Sequence, residues 1–124
     1  MKLHATEDQI HKTIAEYLDW VLLPPAVWTT FPAGWGKLNK ATAGRLYASG
    51  LKTGMPDILI FFNGRATGIE VKTDTGRLSP NQIAMHERLA LAGVQVYVCR
   101  NTEDVLAALE NASLPRRSIK TEAA

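Results

Sequence analysis

Residues 54–72 read GMPDILIFFNGRATGIEVK, and the fold turns on how this stretch is parsed. Two apolar runs, DILIFF at 57–62 and RATGIEVK at 65–72, flank an Asn63–Gly64 pair. Asn-Gly tolerates positive φ at both central positions of a type I′ turn, so the stretch predicts a hairpin of two antiparallel strands. Such pairing brings the carboxylates of Asp57 and Glu70 close. Side chains alternate along a strand, so Glu70 and Lys72 share one face while Val71 points into the core. Both runs are apolar enough to be central strands, where charge is unusual unless it is used.

Outward from the hairpin, SPNQIAMHERLALAG at 79–93 predicts a well-marked helix. Ser79 stands at the N-cap, Pro80 at the first helical position and Gly93 at the end. VQVYVC at 94–99 follows as a strand and NTEDVLAALENA at 101–112 as an amphipathic helix. Upstream, TEDQIHKTIAEYLDWVLL at 6–23 opens with a capping box of Thr6 and Gln9. It then places Ile10, Ile14, Tyr17, Leu18 and Val21 on one face, until Pro24 and Pro25 stop it. AVWTTF at 26–31 is a short strand. Residues 33–54, rich in glycine and lysine, are either a long loop or a loop with a short helix around Ala41–Ala48. The order is α-β-(loop or short helix)-β-β-α-β-α, a mixed α/β layer with helices to cover the strands. Residues 1–114 are expected to form a single domain and 115–124 a flexible tail.

At 124 residues the chain has room for one modest core. Its net charge of +2 names no partner, but the distribution is uneven. No acidic residue lies between Asp19 and Asp57, whereas Lys37, Lys40, Arg45 and Lys52 all do. Such a block attracts polyanions, with a solvated loop as the plainer alternative. Cys99 is the single cysteine, which excludes an internal disulfide framework and suits a reducing cytoplasm. No apolar stretch has signal-peptide form, and WVLLPPAVW is too short and too broken for a membrane span. His4, His11 and His86 lack metal-ligand spacing, so no zinc site is expected. No phosphate loop of P-loop form is present, so no nucleotide cofactor is expected either.

A Glu-x-Lys on a strand is by itself ordinary surface charge. The Gly-x-Pro-Asp ahead of an apolar strand changes its meaning. A hard divalent cation takes oxygen ligands, commonly one or two carboxylates with water and substrate phosphate. It polarises the phosphate and helps activate water, and a nearby ammonium orients that water and stabilises developing charge. Asp57, Glu70 and Lys72 have the chemistry and the spacing for these roles.

In combination the basic lead-in NKATAGRLYASGLKTG, Pro56–Asp57, Glu70–Val71–Lys72 and the helix-opening GRLSPNQ resemble a known pattern. Residues from about Asn39 to Cys99, with a weaker extension over the first helix, look like the VRR-NUC (virus-type replication-repair nuclease) branch of the PD-(D/E)XK nuclease superfamily. The short length resembles its compact stand-alone phage and bacterial members. The resemblance implies a restriction-endonuclease-like α-β-β-β-α-β core, a small mixed sheet flanked by helices, here with an extra C-terminal helix. It implies Asp57 and Glu70 as metal ligands, the Val71 carbonyl as a further one, Lys72 as the catalytic lysine, and Gln82 as a catalytic-site residue that supports the site or touches the nucleic-acid backbone. The family's first-helix glutamate has two candidates. Glu16 lies mid-helix but almost opposite Ile14 and Val21, whereas Glu7 shares their side, so Glu7 is the expected fourth ligand.

Lys37, Lys40, Arg45, Lys52 and Arg77 are candidates for phosphate contacts. Trp35 either stacks on a base or packs its loop down. His86, one turn after Gln82, either approaches the site or is a helix-surface histidine, the plainer reading. The expectation is therefore a Mg²⁺- or Mn²⁺-dependent DNA endonuclease of replication, repair or recombination, structure-specific for branched, flapped or junction DNA and homodimeric. DVLAALENA and VLLPPAVW would supply a dimer interface or else complete the monomer core. The alternative is a nuclease-like DNA-binding or partner-dependent module with little activity of its own.

Overall fold

A computed structural model describes residues 4–31 and 39–119 of the chain. Helix α1 (Glu7–Val21) leads into strand β1 (Val27–Thr30), then α2 (Lys40–Ala48), β2 (Ile58–Phe62), β3 (Arg65–Val71), α3 (Pro80–Leu91), β4 (Gln95–Cys99) and α4 (Thr102–Asn111). The four strands form one sheet in the order β1-β2-β3-β4. β1, β2 and β3 pair antiparallel as a meander, and β4 returns parallel to β3 after the α3 crossover. This is the mixed sheet flanked by helices that the sequence predicts, with α4 as the additional C-terminal helix. The undecided stretch 33–54 carries the short helix α2, capped by the Asn39 side chain on the Thr42 amide.

The hairpin forms as its turn chemistry requires. Asn63 and Gly64 both adopt positive φ, 52° and 74°, and the register runs from Phe62 opposite Arg65 to Ile58 opposite Ile69. The core lies on one face of the sheet. Ile58, Ile60, Ile69, Val71 and Cys99 meet Ile14, Leu18 and Val21 of α1 and Val105, Ala108 and Leu109 of α4. The apolar face of α4 therefore completes the monomer core, which decides between the two uses expected for DVLAALENA. Among the described residues no helix is long and apolar enough to cross a membrane.

Residues 115–119 fall in the stretch expected as a tail, and the main chain of 115–117 pairs with the end of α1. Arg116 bridges Leu22, the Leu23 amide donates to the Pro115 carbonyl, and the Arg117 amide donates to the Val21 carbonyl. The reason is the helix terminus. The last carbonyls of a helix have no partner within it, and α1 has no basic residue in its last turn. Arg117 supplies both needs: its Nε donates to the Trp20 carbonyl and its guanidinium lies 5.5 Å from the centre of the Trp20 ring.

Candidate active site

Register carries Asp57 and Glu70 to the same place. Ile58 pairs with Ile69, so one step further along the antiparallel ladder Asp57 stands opposite Glu70. Two features seat Asp57. Its main-chain carbonyl accepts the Phe31 amide (2.7 Å), and its Oδ2 accepts the Val71 amide (2.6 Å). Pro56 just before it packs over Gly68, where a Cβ would come within 3.0 Å of the proline ring. The absence of a side chain at Gly68 thus lets the Pro56–Asp57 segment lie close against β3.

Lys72 follows β3, its amide held by the Cys99 carbonyl (3.1 Å), and shares the face of Glu70. Asp57, Glu70 and Lys72 are 1%, 1% and 9% exposed, whereas charged side chains are seldom this buried unless they act on one another. Val71, between the two, is fully buried in the core.

The electrostatics follow from that burial. Desolvation pushes the Glu70 carboxyl up to about 10, reinforced by a hydrogen bond with Asp57 and by its charge, and opposed by Lys72. Glu7, at the start of α1, is partly buried. Its carboxyl is raised by desolvation and, more weakly, by Asp57, while Lys72 pulls it down, so α1 brings it to the same electrostatic neighbourhood. Glu16 is exposed on the outer side of α1.

One functional neighbour went the less expected way. His86 of α3 is not a surface histidine: its Nε2 lies 2.9 Å from Glu70 Oε1. Its imidazole is lowered by desolvation and then by Lys72, against the opposing pull of Asp57. Burial thus disfavours the charged form of both partners, raising the Glu70 carboxyl and lowering the His86 imidazole. The spacing of Gln82 and His86, one turn apart, was the available signal.

Among the described residues no three His, Cys, Asp or Glu side chains form a ready-made metal cluster. The donor set at the site is instead two apposed carboxylates, which suits a hard divalent cation that completes its shell with water, carbonyl or phosphate oxygens.

A family model, the VRR-NUC domain, matches residues 6–103, which span every residue of this constellation. The chain belongs to the VRR-NUC domain family. It is thus a nuclease-type domain directed at DNA. A solved structure described as a VRR_NUC domain protein has the same fold, with a TM-score of 0.60 and 20% identity over 87% of this chain and 88% of that one. Comparison with curated proteins gives no significant match.

The remaining expected residues of this VRR-NUC domain divide. The Gln82 side chain accepts the Ser79 amide (2.9 Å) and closes a capping box at the start of α3, so its oxygen is engaged there. The box has the Ser-x-x-Gln form, legible in the sequence. Lys40, Arg45, Lys52 and Arg77 are all exposed. Lys37 and Trp35 lie outside the described residues. A basic residue that sequence reasoning passed over joins the exposed set: Arg88 of α3 lines, with Lys52, Thr53 and Asn81, a cavity of about 250 Å³.

Proposed function

We propose that this VRR-NUC domain is a divalent-metal-dependent endodeoxyribonuclease that hydrolyses phosphodiester bonds in branched, flapped or junction DNA during replication, repair or recombination. The observation that carries the reading is the burial of Asp57, Glu70 and Lys72 together at one end of the β2–β3 hairpin. Two carboxylates pressed together in low dielectric repel when both are ionised, and a cation between them removes that repulsion. Asp57 and Glu70, with the Val71 carbonyl and Glu7, would hold Mg²⁺ or Mn²⁺. When bound, the ion would polarise the scissile phosphate and offset the negative charge that develops on it.

The protein's own groups do the rest. The Lys72 ammonium donates hydrogen bonds that orient the attacking water and stabilise charge on the phosphoryl oxygens, and the water's proton passes to bulk solvent. Burial strengthens each of these interactions. The exposed cations Lys40, Arg45, Lys52 and Arg77, with Lys37, grip backbone phosphates and set the register of the duplex without reading its sequence. Cleavage of both strands calls for two sites, so the working form is proposed to be a homodimer, and the single buried Cys99 suits the cytoplasm.

The test is cleavage of supercoiled plasmid, flap and four-way-junction DNA with Mg²⁺ or Mn²⁺, comparing wild type with Asp57→Ala and Lys72→Ala. Wild type should cut, with the branched substrates preferred, and each variant should lose at least about a hundredfold in rate. A wild type that cuts nothing with either metal, or variants that cut as fast as it does, would refute the reading.

A further inference from the structure

We propose that His86 is a positioning residue that holds Glu70 in the orientation needed to capture the divalent ion, an inference that rests on the metal-dependent reading above. The two apposed carboxylates are anchored differently. Asp57 is locked by the backbone, through the Val71 amide on its Oδ2. Glu70, besides its hydrogen bond with Asp57, is held from another element, through His86 Nε2 at 2.9 Å from Oε1. The imidazole is itself largely enclosed, with its side chain 14% exposed, and its neighbour Met85 is buried.

A carboxylate that binds a cation is ionised and can only accept hydrogen bonds. In that state His86 donates through Nε2–H to Oε1, leaving the rest of the carboxyl group for the ion. Hydrogen bonds of this kind to ligating carboxylates fix their orientation, and losing one typically weakens metal binding tenfold to a hundredfold. Without the donor, an ionised Glu70 would be buried with one oxygen unsatisfied, so ion capture would bear the cost.

The contact also joins two parts of the fold. α3 begins eight residues after Lys72 in the numbering, at Pro80, and His86 ties it back across the loop to β3. Seating of α3 on the sheet is thereby felt at the metal-binding carboxylate.

The experiment measures Mn²⁺ binding by titration calorimetry and by electron paramagnetic resonance, with the Mn²⁺ dependence of cleavage alongside. His86→Leu removes the donor and keeps an apolar volume. His86→Gln puts an amide N–H near the position of Nε2, and His86→Asn has an amide too short to reach it. The expected result is Mn²⁺ affinity about tenfold to a hundredfold weaker in the Leu and Asn variants, with cleavage recovering as Mn²⁺ is raised, and most affinity restored by Gln. Melting in EDTA reports folding, and the Gln–Asn pair carries the test if His86→Leu does not fold. Wild-type Mn²⁺ affinity in the Leu or Asn variant overturns the proposal, as does a Gln variant no better than Asn. A wild type that binds no Mn²⁺ overturns both this inference and the metal-dependent reading, a result distinct from a wild type that binds and variants that match it.

Discussion

Asp57 and Glu70 face each other one step beyond the Ile58–Ile69 pair, and burial, reinforced by Asp57, pushes the Glu70 carboxyl up to about 10. The consequence for stability has a definite sign. Between the ordinary carboxylate range and about 10, the folded chain holds a proton that the unfolded chain has released. Folding therefore weakens as pH rises, by at most about 1.4 kcal/mol per pH unit from this group. In EDTA the melting temperature should fall from about pH 5 to about pH 9, and Glu70→Gln should flatten that slope and melt above wild type at the alkaline end. Mn²⁺ should raise the melting temperature more at the alkaline end, since a ligand must lose its proton to bind. A wild-type melt with the same pH slope as Glu70→Gln would contradict a proton on Glu70.

The two glutamates of α1 separate on the same grounds. Glu7 is partly buried and feels Lys72 and Asp57, whereas Glu16 is exposed on the outer side of the helix. Glu7→Gln keeps the size and the helix, so its effect isolates the charge. Cleavage at limiting Mn²⁺ should drop about tenfold or more in Glu7→Gln, while Glu16→Gln cuts like wild type. Equal rates for the two variants would remove Glu7 from the site.

Much of this was legible because it is local. Asn63–Gly64 set the turn, and once the turn is known, alternation alone puts Glu70 and Lys72 on one face. Ser79 and Pro80 marked the start of α3 for the same reason: a cap is a statement about its own four residues. What escaped depended on docking. Whether His86 meets solvent or Glu70 is decided by how α3 sits on the sheet, and helical spacing fixes only its relation to Gln82. Residues 115–117 have no apolar pattern beyond Pro115, and their pairing with the end of α1 answers to unmet carbonyls far away in sequence.

Gly54 shows how the segment ahead of Asp57 is held. Its φ is +85°, and a Cβ there would come within 2.4 Å of the Asn81 carbonyl oxygen in the first turn of α3. Both the backbone conformation and the contact exclude a side chain. Gly54→Ala should cost about 1–3 kcal/mol of stability and lower activity by displacing the Pro56–Asp57 segment. Gly44→Ala, in open space within helix α2, should be neutral or stabilising by up to about 1 kcal/mol. Denaturant melts of the two variants check the contrast, and a Gly54→Ala protein as stable as Gly44→Ala would show that the close approach does not matter.

Lys52 and Arg88 come from different elements but line one cavity, together with Thr53 and Asn81. Two cations and two uncharged hydrogen-bonding groups suit a backbone phosphate, and Gly54 keeps the Lys52 loop against α3. Contacts of this type add affinity without sequence preference and release counterions. Lys52→Ala and Arg88→Ala should each weaken DNA binding about equally on unrelated sequences, with the slope of log K against log salt reduced by about one per residue. Binding measured in EDTA by fluorescence anisotropy keeps cleavage out of the result. If both variants retain the wild-type salt slope, phosphate does not occupy this cavity, and the basic grip on DNA must come from the other exposed cations.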